Sequence, residues 1–241
     1  DMVASRFDRI ECNVSSREFH TITGYYQGKR ITVVSHGIGT DNIDIVLNEL
    51  DALANIDFET RQIKDELRQL TLVRVGTSGG LQDETPIGSY VAAVHSVGFD
   101  GVLYFYADSQ RVRRRAFEEA LIQQLDWQLE GLRPYVVPAD ASLVEQICGS
   151  DILRGNTIAA NGFYGPQGRQ LRLALKDPGL NAKIQAFDYE GLRLTNYEME
   201  SSSLAGLAAL MGHRAMTVCC IIAGRKAQNM NTDYKGSIEG L

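Results

Sequence analysis

Cysteine, proline and tryptophan are scarce in this chain: four cysteines, five prolines and one tryptophan stand among 241 residues. Cys12, Cys148, Cys219 and Cys220 have neither metal-ligand nor redox spacing, which argues against a zinc site and a catalytic dithiol. Cys219 and Cys220 are adjacent in a strand-like run, so their side chains point to opposite faces. All four read as reduced packing residues of a cytoplasmic protein. No apolar run approaches the ~18 residues that span a bilayer, and no charged-then-apolar leader opens the sequence, so no membrane contact is expected. Positive charge is also short. A net charge of -6 excludes generic nucleic-acid binding. The one basic run, Arg111, Arg113, Arg114 and Arg115, is followed at once by Glu118 and Glu119, and reads as a solvated helix face with charge pairs.

What is plentiful is glycine, with 23 residues, in a chain that is 44% hydrophobic and 22% charged. That is globular composition with length enough for one large core. Apolar runs alternate with helical periodicity. Ile31-Thr32-Val33-Val34-Ser35 reads as a buried strand, followed by the glycine-rich turn His36-Gly37-Ile38-Gly39-Thr40. Asp41 or Asn42 is placed to cap a helix that carries Ile43, Val46, Leu47, Leu50 and Leu53. Residues 56–69 are polar and read as a surface insertion with some helical character. Leu70 to Val75 is a second strand ending in a glycine turn, Gly76 to Gly80, and Tyr90 to Val97 a third. Arg111 to Leu125 is helical, Asn156 to Ala160 a short strand, and Met216 to Ala223 an apolar strand ending at Gly224-Arg225. The alternation predicts an α/β fold, a single domain over residues 1–241 with a central mixed, largely parallel sheet flanked by helices.

In open α/β sheets ligands bind beyond the carboxyl ends of strands, and unusual groups gather there. Arg74 precedes Thr77 and the glycines, an outline of a phosphate site: glycines let backbone N–H groups approach an anion, and arginine supplies a bidentate fork. The lysine and spacing of a Walker loop are absent; a buried arginine in a local ion pair is the plainer alternative, and a strand-end arginine beside Gly76-Thr77-Ser78-Gly79-Gly80 favours the anion. Phe163-Tyr164-Gly165-Pro166-Gln167-Gly168-Arg169 is rich in turn formers. Phe163 offers a stacking face, while Gln167 and Arg169 complement the acceptor–donor–acceptor edge of a pyrimidine dione. A solvated surface turn is the plainer alternative. Asn196-Tyr197-Glu198-Met199-Glu200-Ser201 sets two carboxylates and a thioether at the start of a helix through Ser203, Leu204, Leu207, Ala208 and Met211. Ionised carboxylates accept hydrogen bonds from sugar hydroxyls, although acidic first-turn residues are common on helix-dipole grounds alone.

These three segments, in this order, resemble the nucleoside phosphorylase superfamily, and within it the uridine-cleaving members. The resemblance runs from Ser16-Arg17-Glu18-Phe19 to Gly224-Arg225. It implies reversible phosphorolysis of uridine to uracil and ribose 1-phosphate, a step of pyrimidine salvage, with inorganic phosphate as co-substrate and no required cofactor. It assigns phosphate to Arg74 and Thr77, with Arg17 reaching the phosphate of a neighbouring subunit. Phe163, Gln167 and Arg169 take uracil, with Arg225 near the base through water. Glu198, Met199 and Glu200 take ribose, with Thr77 close by. Glu18 and the Ile38 turn resemble a monovalent-cation site for K+ at a dimer interface. A site that borrows Arg17 needs at least a homodimer, and the family often builds a homohexamer.

The chain departs from the family in lacking a Gly-Asp-Pro-x-Arg phosphate loop and an early histidine. Its opening, Asp1-Met2-Val3-Ala4-Ser5-Arg6, resembles the segment just past that loop. A chain given without its first strand, the loop and the last helix is expected rather than a crippled relative, because a sheet lacking its first strand would expose a long edge. The purine-selective relatives place an aspartate after the last strand. Here no aspartate comes after Ala223-Gly224-Arg225 until Asp233, which favours a pyrimidine and phosphorolysis over hydrolysis. A nucleoside hydrolase and a catalytically inactive nucleoside-binding homologue are the alternatives.

Overall fold

The computed structural model describes residues 2–225, 229–230 and 236, in two compact units, residues 1–38 and 39–241. The first unit is an antiparallel meander of β1 (Arg9–Ser16), β2 (Phe19–Tyr26) and β3 (Lys29–Ser35). Gln27 and Gly28, both at positive φ (49° and 75°), make the tight turn between β2 and β3, the backbone that matches strand twist. The strand expected at 31–35 is present but not buried: β3 is largely exposed, Ile31 by 37%. Its β-branched residues reflect fit to a pleated surface rather than a place in the core.

The second unit begins with α1 (Thr40–Asn55), whose Ile43 and Leu47 point inward while Leu53 is exposed. Its N-cap is Gly39, at φ 99°; neither Asp41 nor Asn42 caps it, since both lie inside the first turn. Residues 56–69 hold a two-stranded hairpin, β4 (Ile56–Asp57) and β5 (Gln62–Ile63), and no helix. Asn55 ties this insertion down: its Oδ1 accepts from the Arg68 N–H at 2.7 Å and its Nδ2 donates to the Arg68 carbonyl at 3.2 Å.

The main sheet is built from β6 (Thr71–Gly80), β7 (Tyr90–Phe99), β8 (Tyr135–Pro138), β9 (Ile152–Ala160), β10 (Leu194–Glu198), β11 (Arg214–Gly224) and β12 (Asn229–Met230). Helices α2 (Arg115–Gln124), α3 (Ala141–Ile147), α4 (Leu180–Ala186) and α5 (Ser201–Leu210) intervene. The strand order is β12-β11-β6-β10-β9-β7-β8, and β7 also pairs with β11. Strands β11, β6, β10, β9 and β7 therefore close into a barrel. The expected α/β class and mixed sheet are present, but the sheet is not a largely parallel layer. β6/β11, β9/β10 and β7/β9 are parallel, whereas β6/β10, β7/β11, β7/β8 and β11/β12 are antiparallel. Closure removes strand edges, the exposed hydrogen-bonding rows that open sheets must shield.

The glycine-rich segment Gly76-Thr77-Ser78-Gly79-Gly80 lies inside β6 rather than in a turn after it. Helix α5 is buried around almost its whole circumference from Ser201 to Ala208, in contact with α1 and the barrel strands. Its small residues permit that close approach. The basic run is only partly a solvated face. Arg113 is buried and grips Glu118 with two hydrogen bonds of 2.7 Å, Nε to Oε1 and Nη2 to Oε2. Glu118 Oε1 also accepts from the Val136 N–H at 3.1 Å, so the pair bolts α2 to β8. No helix of the described residues is long and apolar enough to cross a membrane.

Candidate active site

Arg74 projects from β6 into a buried charge cluster. Its Nη1 lies 2.9 Å from Glu198 Oε2 and its Nη2 pairs with Glu200 Oε2. Nη1 also approaches Cys219 Sγ at 3.6 Å. Gly76 makes this pose possible: a Cβ there would lie 2.9 Å from Nη2 and 3.0 Å from both Cζ and Nη1. Three nearly equal distances mean that the guanidinium lies flat over the glycine. Burial opposes the Arg74 charge, but Glu198, the Cys219 thiol and Glu200 outweigh it and hold the group above its ordinary range.

The carboxylates are fixed by the start of α5. Glu198 ends β10 and accepts the backbone N–H of Glu200 at 2.9 Å, that of Ser201 at 3.0 Å and the Ser201 hydroxyl at 2.6 Å. Burial pushes its carboxyl above the usual range, Arg74 pulls it down, and Glu200 pushes it up again. Glu200 is the N-cap position of α5, and its Oε1 accepts the Gly39 N–H at 2.7 Å. A carboxylate therefore sits where the starts of α1 and α5 converge, where helix dipoles favour negative charge. Neither carboxylate stands in the first turn proper; both precede it. Each Glu200 oxygen has one protein donor, and a carboxylate can accept about four hydrogen bonds, so acceptor capacity for two hydroxyls remains. Met199, between the two, is half-buried, as is Thr77 on β6. Thr77 makes no side-chain hydrogen bond among the described residues.

A second cluster forms around the loop 163–169. Arg169 donates from Nη1 to the Phe163 carbonyl and to Gln167 Oε1, both at 2.6 Å, and its Cζ stands 3.8 Å over the Phe163 ring. Arg225, at the end of β11, donates to the Gln167 carbonyl and to Gln167 Oε1, again at 2.6 Å. Its guanidinium covers the Tyr197 ring at 4.5 Å. Asn181 of α4 joins the loop to β10, accepting from the Tyr197 hydroxyl and donating to the Gln167 carbonyl, both at 3.1 Å. Burial, then repulsion from Arg169, lowers Arg225 to about 10, and burial lowers Arg169. Burial raises the Tyr197 phenol against the pull of both arginines.

The expected residues thus fall into two contact groups: Arg74 with Glu198 and Glu200, and Phe163 with Gln167, Arg169 and Arg225. Consecutive residues of β10 connect them, since Tyr197 underlies Arg225 and Glu198 holds Arg74. Two expectations change. Arg74 is not an open fork, because carboxylates already hold it. Gln167 does not turn both amide groups to a base, because two guanidiniums converge on its oxygen; Arg225 acts on Gln167 directly. Arg17, at φ 53°, and Glu18 form the turn between β1 and β2, and Ile38 comes after β3; all three belong to the 1–38 unit. No group of three or more histidine, cysteine, aspartate or glutamate side chains suited to a metal ion occurs among the described residues. Asp233 lies outside the described residues.

Cys219, Gly39 and Asn181 were not legible as site residues. Cys219 reaches Arg74 only because β11 pairs with β6 in a register that sets it opposite Gly76. Two clefts lie elsewhere, one of about 380 Å3 beside Gln82, Arg154, Asn156 and Arg193 and one of about 640 Å3 beside Tyr104, Phe105 and Trp127. In the first, Arg193 and Arg154 are already paired with Gln82 and Glu145. The buried charge clusters, where perturbed ionisation marks functional chemistry, are the better candidate.

Known proteins resemble the chain along nearly its whole length. The family model of the Phosphorylase superfamily matches residues 1–237. The uridine phosphorylase of Thermococcus kodakarensis is 30% identical over 229 residues, covering 92% of this chain and 68% of the relative. That of Haemophilus influenzae is 26% identical over 230 residues, covering 95% and 78%. The crystal structure of a Trypanosoma brucei nucleoside phosphorylase, which shows uridine phosphorylase activity, superposes with a TM-score of 0.87 at 25% identity, covering 100% of this chain and 86% of that one.

Proposed function

The chain belongs to the phosphorylase superfamily, and from that footing we propose that it catalyses the reversible phosphorolysis of uridine to uracil and ribose 1-phosphate. The observation that carries the reading is the Arg74 Nε–H, buried with no acceptor, beside two carboxylates that one strand, β10, connects to an amide clamped by two guanidiniums. An unpaired buried donor on a charged group is costly. An incoming phosphate would satisfy it.

Phosphate held by Arg74 attacks C1′ while the bond from C1′ to N1 of uracil breaks. The electron pair leaves with uracil, and the phosphate proton reaches it through solvent. Positive charge grows on the sugar above an anion and negative charge grows on the uracil, so the work is positioning and preorganised electrostatics. Glu200 accepts from the ribose hydroxyls, with Glu198 fixing the turn that presents it; Met199 packs on the sugar, and Thr77 lies between sugar and phosphate. Gln167, its oxygen held by Arg169 and Arg225, presents its N–H groups to a uracil carbonyl, and Phe163 stacks on the base. Inorganic phosphate is a co-substrate and no cofactor enters the scheme. Arg17 serves a neighbouring subunit, which makes the working form at least a dimer.

The test is uracil release from uridine, monitored by ultraviolet absorbance with and without phosphate. Phosphate-dependent release with formation of ribose 1-phosphate is expected. Equal release without phosphate would mean hydrolysis, and no release in either case would mean a nucleoside-binding protein; both overturn the reading.

A further inference from the structure

Arginine carries five N–H donors, and in Arg74 two of them make hydrogen bonds. Nη1 donates to Cys219 Sγ at 3.6 Å and Nη2 to Glu200 Oε2, while Glu198 Oε2 forms an ion pair with Nη1 at 2.9 Å. The Nε–H is buried and unpartnered, and one N–H remains on each of Nη1 and Nη2. A guanidinium with donors to spare can bind phosphate bidentately.

The sheet sets how the guanidinium lies. Gly76 forms the floor under the guanidinium plane, and Cys219 stands directly opposite Gly76 in the parallel β6/β11 register. Residues paired in this way share a face of the sheet, so the Cys219 thiol rises beside the floor to meet Nη1. Cys220 turns away and is buried on the other face. Burial pushes the Cys219 thiol up to about 12, so it stays a neutral S–H. A neutral sulfur is a weak acceptor: it orients a donor without adding a third negative charge to Arg74. A carboxylate in its place would compete with phosphate, and an aliphatic side chain would leave an N–H of Nη1 without its acceptor.

We propose that Cys219 is a positioning residue of the phosphate site: by accepting from Nη1 of Arg74 it fixes the guanidinium in the pose from which the remaining N–H groups meet phosphate. The proposal rests on the phosphorolysis reading for what the anion does, but its test does not need turnover. Inorganic phosphate is titrated by calorimetry, without nucleoside, into wild type and the variants C219V, C219A and C219S, with thermal midpoints measured alongside. Steady-state KM values for phosphate and uridine complete the set. C219V keeps the apolar bulk and C219A removes it, yet both are expected to weaken phosphate binding about five- to tenfold, the loss of one modest hydrogen bond to a charged group. C219S, with an acceptor restored on a shorter arm, recovers part of that loss. The uridine KM changes less than about twofold, since no charge-assisted bond to the nucleoside is touched. Phosphate binding by C219V equal to wild type overturns the proposal, as does an equal loss of phosphate and uridine affinity, which a general packing defect would give. Should wild type release no uracil while the variants still rank as expected for phosphate, the substrate reading falls and the role of Cys219 stands.

Discussion

Gly76→Ala isolates the slot in which Arg74 lies. The new Cβ would come within 2.9–3.0 Å of three guanidinium atoms. Comfortable contact begins at about 3.5 Å, so the plane must rise by roughly 0.5 Å or more. Arg74 is a long side chain, but it cannot swing freely: two carboxylates and a thiol hold its far end. Lifting it turns the N–H groups out of line with Glu200 and Cys219 and weakens the hydrogen bonds they make. Losing one charge-assisted bond costs about 1.5–3 kcal/mol. Gly76 sits in a strand without a positive φ, where alanine gains about 0.5–1 kcal/mol over glycine. The net expectation is a destabilisation of about 1–2 kcal/mol in urea unfolding, and a phosphate KM raised about tenfold, the equivalent of ~1.4 kcal/mol. The same substitution in an Arg74→Ala background should be neutral or stabilising, because the obstructed group is gone. An equal penalty in both backgrounds, a coupling energy near zero, would refute the slot.

Three other substitutions test separate parts of the molecule. Arg169→Ala removes a donor from Gln167 and the cation over Phe163, and kcat with uridine should fall about 10²–10³-fold while the phosphate KM moves far less; unchanged kinetics with uridine would end that assignment. Arg113→Met leaves Glu118 buried without its bidentate partner and should cost about 3–5 kcal/mol in denaturant unfolding, whereas Arg111→Met, on an exposed arginine, should change little. Burial holds the Asp100 carboxyl above its usual range, against hydrogen bonds from Ser202, Tyr135 and Val102. Its folded state therefore binds the proton more tightly than the unfolded chain, and its contribution to stability is present below about pH 4 and lost as pH rises through the folded value. Asp100→Asn should remove that decline, and parallel pH profiles of unfolding midpoints for variant and wild type would contradict it.

The sequence made the site legible where function is written as contiguous strings. The segments around Arg74, Gln167 and Glu198 stand out because glycines, turn formers and paired carboxylates are local signals, and their order supplied the family. What escaped depends on which strand lies beside which. The contact of Cys219 with Arg74 needs the β6/β11 register, and the barrel needs the antiparallel joining of β7 to β11, which no periodicity encodes. Likewise, four arginines in five positions look alike in sequence. Only the docking of α2 on β8 sends Arg113 inward and leaves Arg111, Arg114 and Arg115 in solvent. The apolar run of β3 misled for the opposite reason: β-branched residues suit an exposed pleat as well as a buried one.

Closure of the five strands has an evolutionary reading. Arg74, Glu198 and Cys219 ride on β6, β10 and β11, each pinned between two neighbours, and a shift in one would have to propagate around the whole ring. Phe163, Gln167 and Arg169 sit instead on a short surface loop fastened by side chains, at Asn181 and Arg225. Under the proposed assignment, descent could rewrite that loop residue by residue, exchanging one nucleobase for another, while the residues on the barrel strands stayed untouched.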